Sequence, residues 1–272
     1  MKKQESSGFS ALFATIVIPL SFLLAAIIYR WVLGNPDNFI GGNPENEPVP
    51  TSAGIIHWFA VVHKGGIIVP VLLGMLIMVI TFCIERFITI NQAKGKGSLP
   101  NFLRDIKGKL DSDQVDAAIA ACDKQKGSVA NVVRAGLDKY KHMAADTTMN
   151  KDQKVLAISK EVEEATGLEL PMLEKNLVIL STISSIATLM GLLGTVLGMI
   201  RSFSALAEAG AGGTGELSTG ISEALINTAF GIGTSALAII MYNFFTTQID
   251  KLTYGIDESG YSLTQTFAAK HN

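Results

Sequence analysis

Four long runs of apolar residues constrain this chain more than any other feature. They cover residues 11–28, 65–84, 177–200 and 224–249. A helix needs about 20 mostly apolar residues to cross the hydrocarbon core of a bilayer, so each run predicts a transmembrane helix. Only 17% of the residues are charged, whereas ordinary soluble domains contain about 25%. The sequence therefore predicts an integral membrane protein with four spans.

The first run has features of both a signal peptide and a retained span. Lys2 and Lys3 precede it, as in a signal peptide. The run is long for a signal-peptide core, however, and Tyr29 and Trp31 follow it where a cleavage site would need small residues. We interpret it as a retained span with Tyr29 and Trp31 as aromatic anchors at the membrane interface.

The distribution of Lys and Arg predicts the orientation of the spans. Basic residues precede the first run and follow the second, whereas residues 34–54 and 202–219 contain none. Because basic residues near span ends favour the cytoplasmic side, we expect both termini in the cytoplasm. The segment 34–64 then faces the periplasm, with a Pro-rich loop and a short interfacial helix over 55–62.

Residues 91–175 are the only sizeable soluble portion and have a helical pattern of apolar residues. We predict helices over 99–110, 112–124 and 128–143, with Asp111 as the N-cap of the second. A last helix begins near Lys151 and runs past Pro171 into the third span. No alternating strand pattern occurs, so we predict an all-α fold. The predicted regions are 1–33 (first span), 34–64 (periplasmic segment), 65–90 (second span), 91–175 (cytoplasmic helical domain), 176–250 (paired spans) and 251–272 (cytoplasmic tail).

Small and hydroxyl residues form a stripe along the third run. They recur at alternating spacings of 3 and 4, which places them on one face of a helix: Ser181, Ser184, Thr188, Gly191, Thr195, Gly198 and Ser202. Gly194 and Gly198 add a GxxxG step. Small residues allow membrane helices to approach closely, so helix packing is the simplest interpretation of each member. The length of the stripe leaves a second use open.

The fourth run carries a carboxylate and several polar residues on one side. Glu223 shares less than half of the helix circumference with Asn227, Thr228, Thr234 and Ser235. We expect this face to look towards protein or water, because bare polar groups in hydrocarbon are costly. A charge at the centre of a bilayer costs about 2.5–3.5 kcal/mol and usually marks an ion path. The alternative is that Glu223 lies shallow enough to reach headgroup water.

Composition excludes several other functions. A net charge of −2 argues against nucleic acid as a partner. Cys83 and Cys122 have neither disulfide nor metal-ligand spacing. The glycines at 210, 212 and 215 match a dinucleotide-binding pattern, but no predicted strand precedes them. We expect no cofactor, no bound metal and no enzymatic activity. Two further expectations concern arginines. Arg86 pairs with Glu85 at the membrane interface, and Arg201 is interpreted as a snorkelling anchor in preference to a gate.

Three segments together resemble a known family. "GLLGTVLGMIRSF" (191–203), "GISEALINTAFGIG" (220–233) and "YNFF" (242–245) are similar to the proton-channel family of ExbB, TolQ and MotA, in the ExbB/TolQ branch and most like ExbB. The resemblance implies that three core spans assemble as a ring, commonly a pentamer. The ring surrounds single spans of an ExbD-like partner, whose membrane aspartate carries the proton. The first span and the Pro-rich loop are additions to this pattern.

The resemblance also implies roles for individual residues. Thr195, Glu223 and Thr228 match the family's proton-pathway residues. We expect support for the pore face from Asn227, Thr188, Thr234 and Ser235, and helix packing by Gly191, Gly194, Gly198 and Gly231. The implied function is an inner-membrane ring subunit that couples proton flow to a TonB-like protein for outer-membrane transport. Two alternatives stay open, a TolQ-like role in envelope maintenance and a purely structural oligomer. A secondary transporter is disfavoured because the sequence has no internal repeat.

Overall fold

The computed structural model describes residues 4–44, 54–209 and 214–271, and every regular element within these ranges is helical. The all-α prediction is confirmed. The helices are α1 (Gln4–Ile27), α2 (Ile55–His63), α3 (Val69–Lys94), α4 (Leu99–Asp111), α5 (Val115–Gln125), α6 (Gly127–Ala145), α7 (Lys151–Glu174), α8 (Leu177–Ala209) and α9 (Thr214–Lys270). A π-helical stretch, Ile28–Leu33, extends α1, and a 3₁₀ turn, Gly66–Ile68, precedes α3.

Within the described ranges, four helical segments are long and apolar enough to cross a membrane. They lie in Phe13–Leu33, Gly66–Asp111, Lys151–Glu208 and Leu217–Lys270. The four predicted spans are therefore confirmed as helices, and the protein is a multi-pass membrane protein. Part of the predicted Pro-rich loop (45–53) and the middle of the predicted glycine-rich turn (210–213) lie outside the described residues.

The chain divides into two compact units, to which α3 and α9 both contribute. The first unit holds α1, α2, α3 up to Ile84, most of α8, and α9 up to Tyr242. The second unit holds Glu85–Leu177 together with α9 from Asn243 onward.

The first unit is built around one buried face of α3. Val69, Leu72, Val79 and Phe82 recur at helical spacing and are fully buried. The first span packs on this helix through the ring of Phe22. A Cβ built on Gly74 would lie only 2.6 Å from Cδ1 of that ring. The absence of a side chain at Gly74 is what lets the aromatic ring approach the backbone.

The second unit is a bundle in which α4, α5, α6 and α7 pack in sequence order. The predicted tail 251–272 is not a tail in the part that the structure describes, because α9 continues to Lys270. Leu252, Ile256 and Leu263 of this extension are at most 2% exposed. The physical reason is that apolar residues recur there at helical spacing and bury a stripe against the bundle. Lys270 Nζ donates to the carbonyl oxygens of Leu110 (2.7 Å) and Asp111 (2.9 Å) at the end of α4.

Two predicted helix boundaries are wrong. Asp111 is the last residue of α4 and not the cap of α5, which begins at Val115 after a turn with Asp113 at φ +59°. The helix from Lys151 does pass Pro171, but it ends at Glu174 and does not continue into the third span. Asn176 has φ +67°, which interrupts the helical conformation before α8 begins.

A buried ion pair stabilises this break. Arg86 is 1% exposed, and its Nε donates to Glu85 Oε2 at 2.6 Å. Its Nη1 donates to the carbonyl oxygen of Leu173 at 3.0 Å, one of the carbonyls left without a helical partner where α7 ends. Asn176 Nδ2 donates to the same carboxylate at 3.4 Å. The expected interfacial pair is therefore an internal link of the second unit.

Candidate functional site

The antiparallel pair α8 and α9 forms the frame of the site through backbone contact. A Cβ on Gly231 would lie 2.6 Å from the carbonyl oxygen of Ala187, and one on Gly198 would lie 2.9 Å from that of Gly220. Gly194 faces the side chain of Asn227, and a Cβ on Gly194 would lie 2.5 Å from the Cβ of Asn227. Gly191 would meet the carbonyl oxygen of Asn227 at 2.9 Å. The four predicted packing glycines thus all lie in the contact between these helices.

Hydroxyl groups add hydrogen bonds along the same contact. Thr228 Oγ1 lies 3.2 Å from the carbonyl oxygen of Ala224 on its own helix and 3.5 Å from that of Gly191 on α8. Ser235 donates to the carbonyl oxygen of Ser184. In a membrane, such bonds satisfy hydroxyls that would otherwise face hydrocarbon.

The central feature of the site is an ion pair between Glu223 and Arg201. Arg201 Nη1 donates to Glu223 Oε1 at 2.7 Å. The Glu223 side chain is 12% exposed, whereas that of Arg201 is 54% exposed. Sequence analysis expected a snorkelling anchor at Arg201 and did not anticipate that its guanidinium, on α8, pairs with the Glu223 carboxylate on α9. Arg201 is the one basic residue between positions 176 and 250, and Glu208, Glu216 and Glu223 follow it; the sequence signalled a possible ion pair without indicating which glutamate forms it.

A two-glycine turn before α3 supports the carboxylate of Glu223. Gly66 adopts φ +76°, and a Cβ there would overlap the Glu223 carboxylate. Gly65 contributes its carbonyl oxygen, which accepts a 2.8 Å hydrogen bond from Asn227 Nδ2. The positive φ and the close approach both require glycine at position 66. Sequence reasoning missed this turn, since nothing local relates it to the fourth span.

The end of the first span lies beside this site. Tyr29 Oη donates to the carbonyl oxygen of His63 at 3.1 Å, and the two rings stack at 4.6 Å. Tyr29 is also within electrostatic range of Glu223 and Arg201. The predicted anchor Tyr29 is therefore an internal contact to the segment that leads into the glycine turn, whereas Trp31 is 75% exposed.

The structure separates the predicted pathway and pore-face residues into two groups. Glu223, Asn227 and Thr234 lie on the buried face of α9, with exposures of 9%, 0% and 2%. Asn227 Oδ1 and Thr234 Oγ1 have no hydrogen-bond partner among the described residues. Polar atoms buried in this way are costly, so water molecules are natural partners for them.

The second group lies on the outer side of α8. Thr188 is exposed, and Thr195 is half-buried with its Oγ1 donating to the carbonyl oxygen of Leu192 at 2.6 Å. Thr195 borders an open groove of about 550 Å³ lined by Val196, Met199, Ile200, Phe203 and Ser204. Within one chain, Thr195 and Glu223 therefore do not meet.

The helices are long enough to cross a membrane, and two of them pack through glycine contacts. A largely buried carboxylate lies between them. These features define a multi-pass membrane protein with a charged site in its spans. Residues 124–258 match the model of a family described as the MotA/TolQ/ExbB proton channel family. Through this part, the chain belongs to that family, and its similarity to proteins named ExbB and TolQ places it in their branch. The family prediction from the three segments is confirmed.

Three curated relatives illustrate the range of similarity. The Tol-Pal system protein TolQ of Pseudomonas aeruginosa is 31% identical over 124 residues, which are 46% of this chain and 54% of that protein. The biopolymer transport protein ExbB of Aquifex aeolicus is 39% identical over 77 residues, 28% of this chain and 52% of that protein. The chain thus spans about half the length of these relatives. The putative biopolymer transport protein ExbB-like 1 of Synechocystis sp. is 28% identical over 187 residues, 66% of each chain.

Proposed function

We propose that this chain is the ring subunit of a proton-driven motor of the ExbB type in the bacterial inner membrane. Several copies, commonly five in this family, would surround the single spans of an ExbD-like partner. Proton flow through the complex would then drive a TonB-like protein for transport across the outer membrane. The observation that carries the proposal is the carboxylate of Glu223, 12% exposed within a long apolar helix and paired with Arg201.

The energetics of Glu223 support a functional interpretation. A carboxylate in the hydrocarbon region costs about 2.5–3.5 kcal/mol, and such residues commonly mark ion paths. Two other segments contact it: α8 through Arg201, and the turn at Gly66. Asn227 of α9 binds the carbonyl oxygen of Gly65 in the same turn. An arrangement that served helix packing alone would need only the small residues.

The groove beside Thr195 suggests where the partner would act. Its lining is mostly apolar, which suits a second membrane helix, and the Thr195 hydroxyl lies at its edge. A partner span along this groove would bring its aspartate close to a hydroxyl on the ring. One elementary charge crossing 100 mV releases about 2.3 kcal/mol, so coupling to mechanical work requires repeated steps.

The test is proton flux through the purified complex of this chain and its ExbD-like partner in liposomes. A potassium diffusion potential would drive the flux, and an internal pH dye would report it. We expect Glu223→Gln to lower the flux at least tenfold while the complex still assembles. Glu163→Gln, the same change on the exposed side of α7, is the matched control and should leave flux unchanged. Wild-type flux in Glu223→Gln would reject the proposal.

The similarity to the TolQ of P. aeruginosa favours one alternative, a TolQ-like subunit for envelope maintenance. Deleting the gene separates the two roles, because loss of an ExbB-type motor impairs energised uptake whereas loss of a TolQ-type motor makes the envelope leaky. A purely structural oligomer predicts a different result again. Thr195→Val and Thr228→Val would then lower stability without selectively blocking proton flux.

A further inference from the structure

The chain contains two Arg–Glu pairs whose surroundings differ sharply. The Arg86 side chain is 2% exposed and also donates to the carbonyl oxygens of Leu173 and Met172. The Arg201 side chain is 54% exposed, and within the described residues it donates a hydrogen bond to Glu223. Removing Arg86 from its partner would leave a buried charge, which is strongly unfavourable. Arg201 can leave its partner without becoming buried in this chain.

The carboxylate of this second pair is held in place while its partner is free to move. The Glu223 side chain lies against Gly66 and is only 12% exposed. One helical turn further along α9, Asn227 binds the carbonyl oxygen of Gly65 and so fixes the turn beneath the carboxylate. Opening of the pair therefore moves the arginine and leaves Glu223 where it is.

Arg201 and a transported cation would compete for the same oxygen atom. In this conformation Arg201 Nη1 donates a 2.7 Å hydrogen bond to Glu223 Oε1, and the guanidinium neutralises the negative charge of the carboxylate. An ion site conducts only when it is accessible to the ion and releases it again. A resident guanidinium blocks access to the carboxylate, because it supplies the positive charge that the ion would bring.

We infer that Arg201 is a positioning residue that closes the ion path at rest by holding Glu223, and that it must swing away before Glu223 can receive a cation. The inference rests on the proposed function, since it assigns Glu223 to an ion path. It adds a second state of the site, in which Arg201 is turned away from the carboxylate and Glu223 can receive a proton or hydrated cation.

The experiment measures basal proton flux through the reconstituted complex without a TonB-like protein. We expect Arg201→Gln to raise basal flux at least fivefold, because the counter-charge is lost while the carboxylate remains. Arg201→Lys keeps the charge and should stay within twofold of the wild type. The double variant Arg201→Gln/Glu223→Gln should conduct as little as Glu223→Gln, since Arg201 acts through Glu223. Arg30→Gln, an exposed arginine at the end of the first span, is the matched control.

The outcomes separate this inference from the proposed function. Wild-type flux in Glu223→Gln rejects both. Loss of flux in Glu223→Gln together with unchanged or lower flux in Arg201→Gln rejects the inference alone. If Arg201→Gln does not assemble, Arg201→Cys in a Cys83→Ala/Cys122→Ala background allows the charge to be restored after folding with a cationic thiosulfonate reagent. A cationic label should close the path and a neutral label of similar size should leave it open; equal flux with both labels, or failure of this variant to assemble, overturns the inference.

Discussion

The side-chain amide of Asn227 donates a 2.8 Å hydrogen bond to the carbonyl oxygen of Gly65, across 162 positions of sequence. Asn227 is fully buried, and its bond adds a side-chain donor to the carbonyl oxygen of Gly65, the residue that precedes the 3₁₀ turn Gly66–Ile68. Non-helical backbone at membrane depth persists only where protein satisfies its polar groups. This one bond therefore explains a polar residue within an apolar span.

Replacing Asn227 with Leu should destabilise the first unit. The substitution keeps the branching at Cγ but removes the side-chain donor to the carbonyl oxygen of Gly65, at a cost of about 1–3 kcal/mol. The free energy of unfolding in a detergent titration, followed by circular dichroism, measures the effect. Thr247→Ala is the control because Thr247 is exposed on the same helix and bonds only its own helix at Asn243. Equal stability of both variants would contradict the role of the bond.

Replacing Gly66 with Ala should cost more than the same change at Gly42. Both glycines have positive φ, +76° and +79°, so both substitutions carry the backbone penalty of about 1–2 kcal/mol. At Gly66 the new Cβ overlaps the carboxylate of Glu223, whereas at Gly42 no atom of the described residues lies within 4 Å. The difference in unfolding free energy between the two variants isolates this overlap. No difference would mean that the carboxylate does not rest on the turn.

Two glycines on α9 should differ strongly in their tolerance of a larger side chain. Gly231 lies against the backbone of α8, whereas a Cβ on Gly233 meets nothing within 4 Å. Gly231→Val should therefore separate the helices and lower the unfolding free energy by several kcal/mol, as overpacking of a close contact costs about 1–3 kcal/mol or more. Gly233→Val should be nearly neutral. Comparable losses in the same detergent titration would argue against a close α8–α9 contact.

Removing Arg86 alone should be worse than removing the whole pair. Arg86→Met leaves Glu85 as an unpaired charge beside the end of α7, and breaking a buried pair costs about 3–5 kcal/mol. Glu85→Gln/Arg86→Met removes both charges and should recover part of that loss. Thermal unfolding of the purified protein measures both variants. A double variant less stable than Arg86→Met would show that the pair is not mutually compensating.

The thiol of Cys122 should resist alkylation in the folded protein. Burial raises its pKa to about 12, so the reactive thiolate is scarce at pH 8. The pKa of this thiol is higher in the folded state than in the unfolded state, where it is about 8.5. The stabilisation from the neutral thiol is therefore fully present below about pH 8.5 and is lost as the pH rises towards 12. In a Cys83→Ala background, labelling with N-ethylmaleimide should be slow in the native state and fast after unfolding. Equal rates would contradict the burial.

The sequence by itself determined the parts of this protein that depend on local composition. Apolar length predicted the four spans, helical spacing predicted an all-α fold, and the small-residue steps pointed to close packing of the last two spans. These features follow from residues that are neighbours along one helix, where a period of 3.6 residues relates position to face. The family resemblance rested on equally local motifs.

Only the tertiary structure decided how the distant parts meet. It paired Arg201 with Glu223, placed Gly66 beneath the carboxylate, and continued α9 through a segment that was expected to be a tail. It also turned Thr195 to the outer side of α8 while Asn227 and Thr234 face inward. The physical reason is that a helical wheel gives the angle between residues on one helix but not the partner that each angle meets. That partner is set by how closely the backbones approach, which here depends on glycines from separate helices.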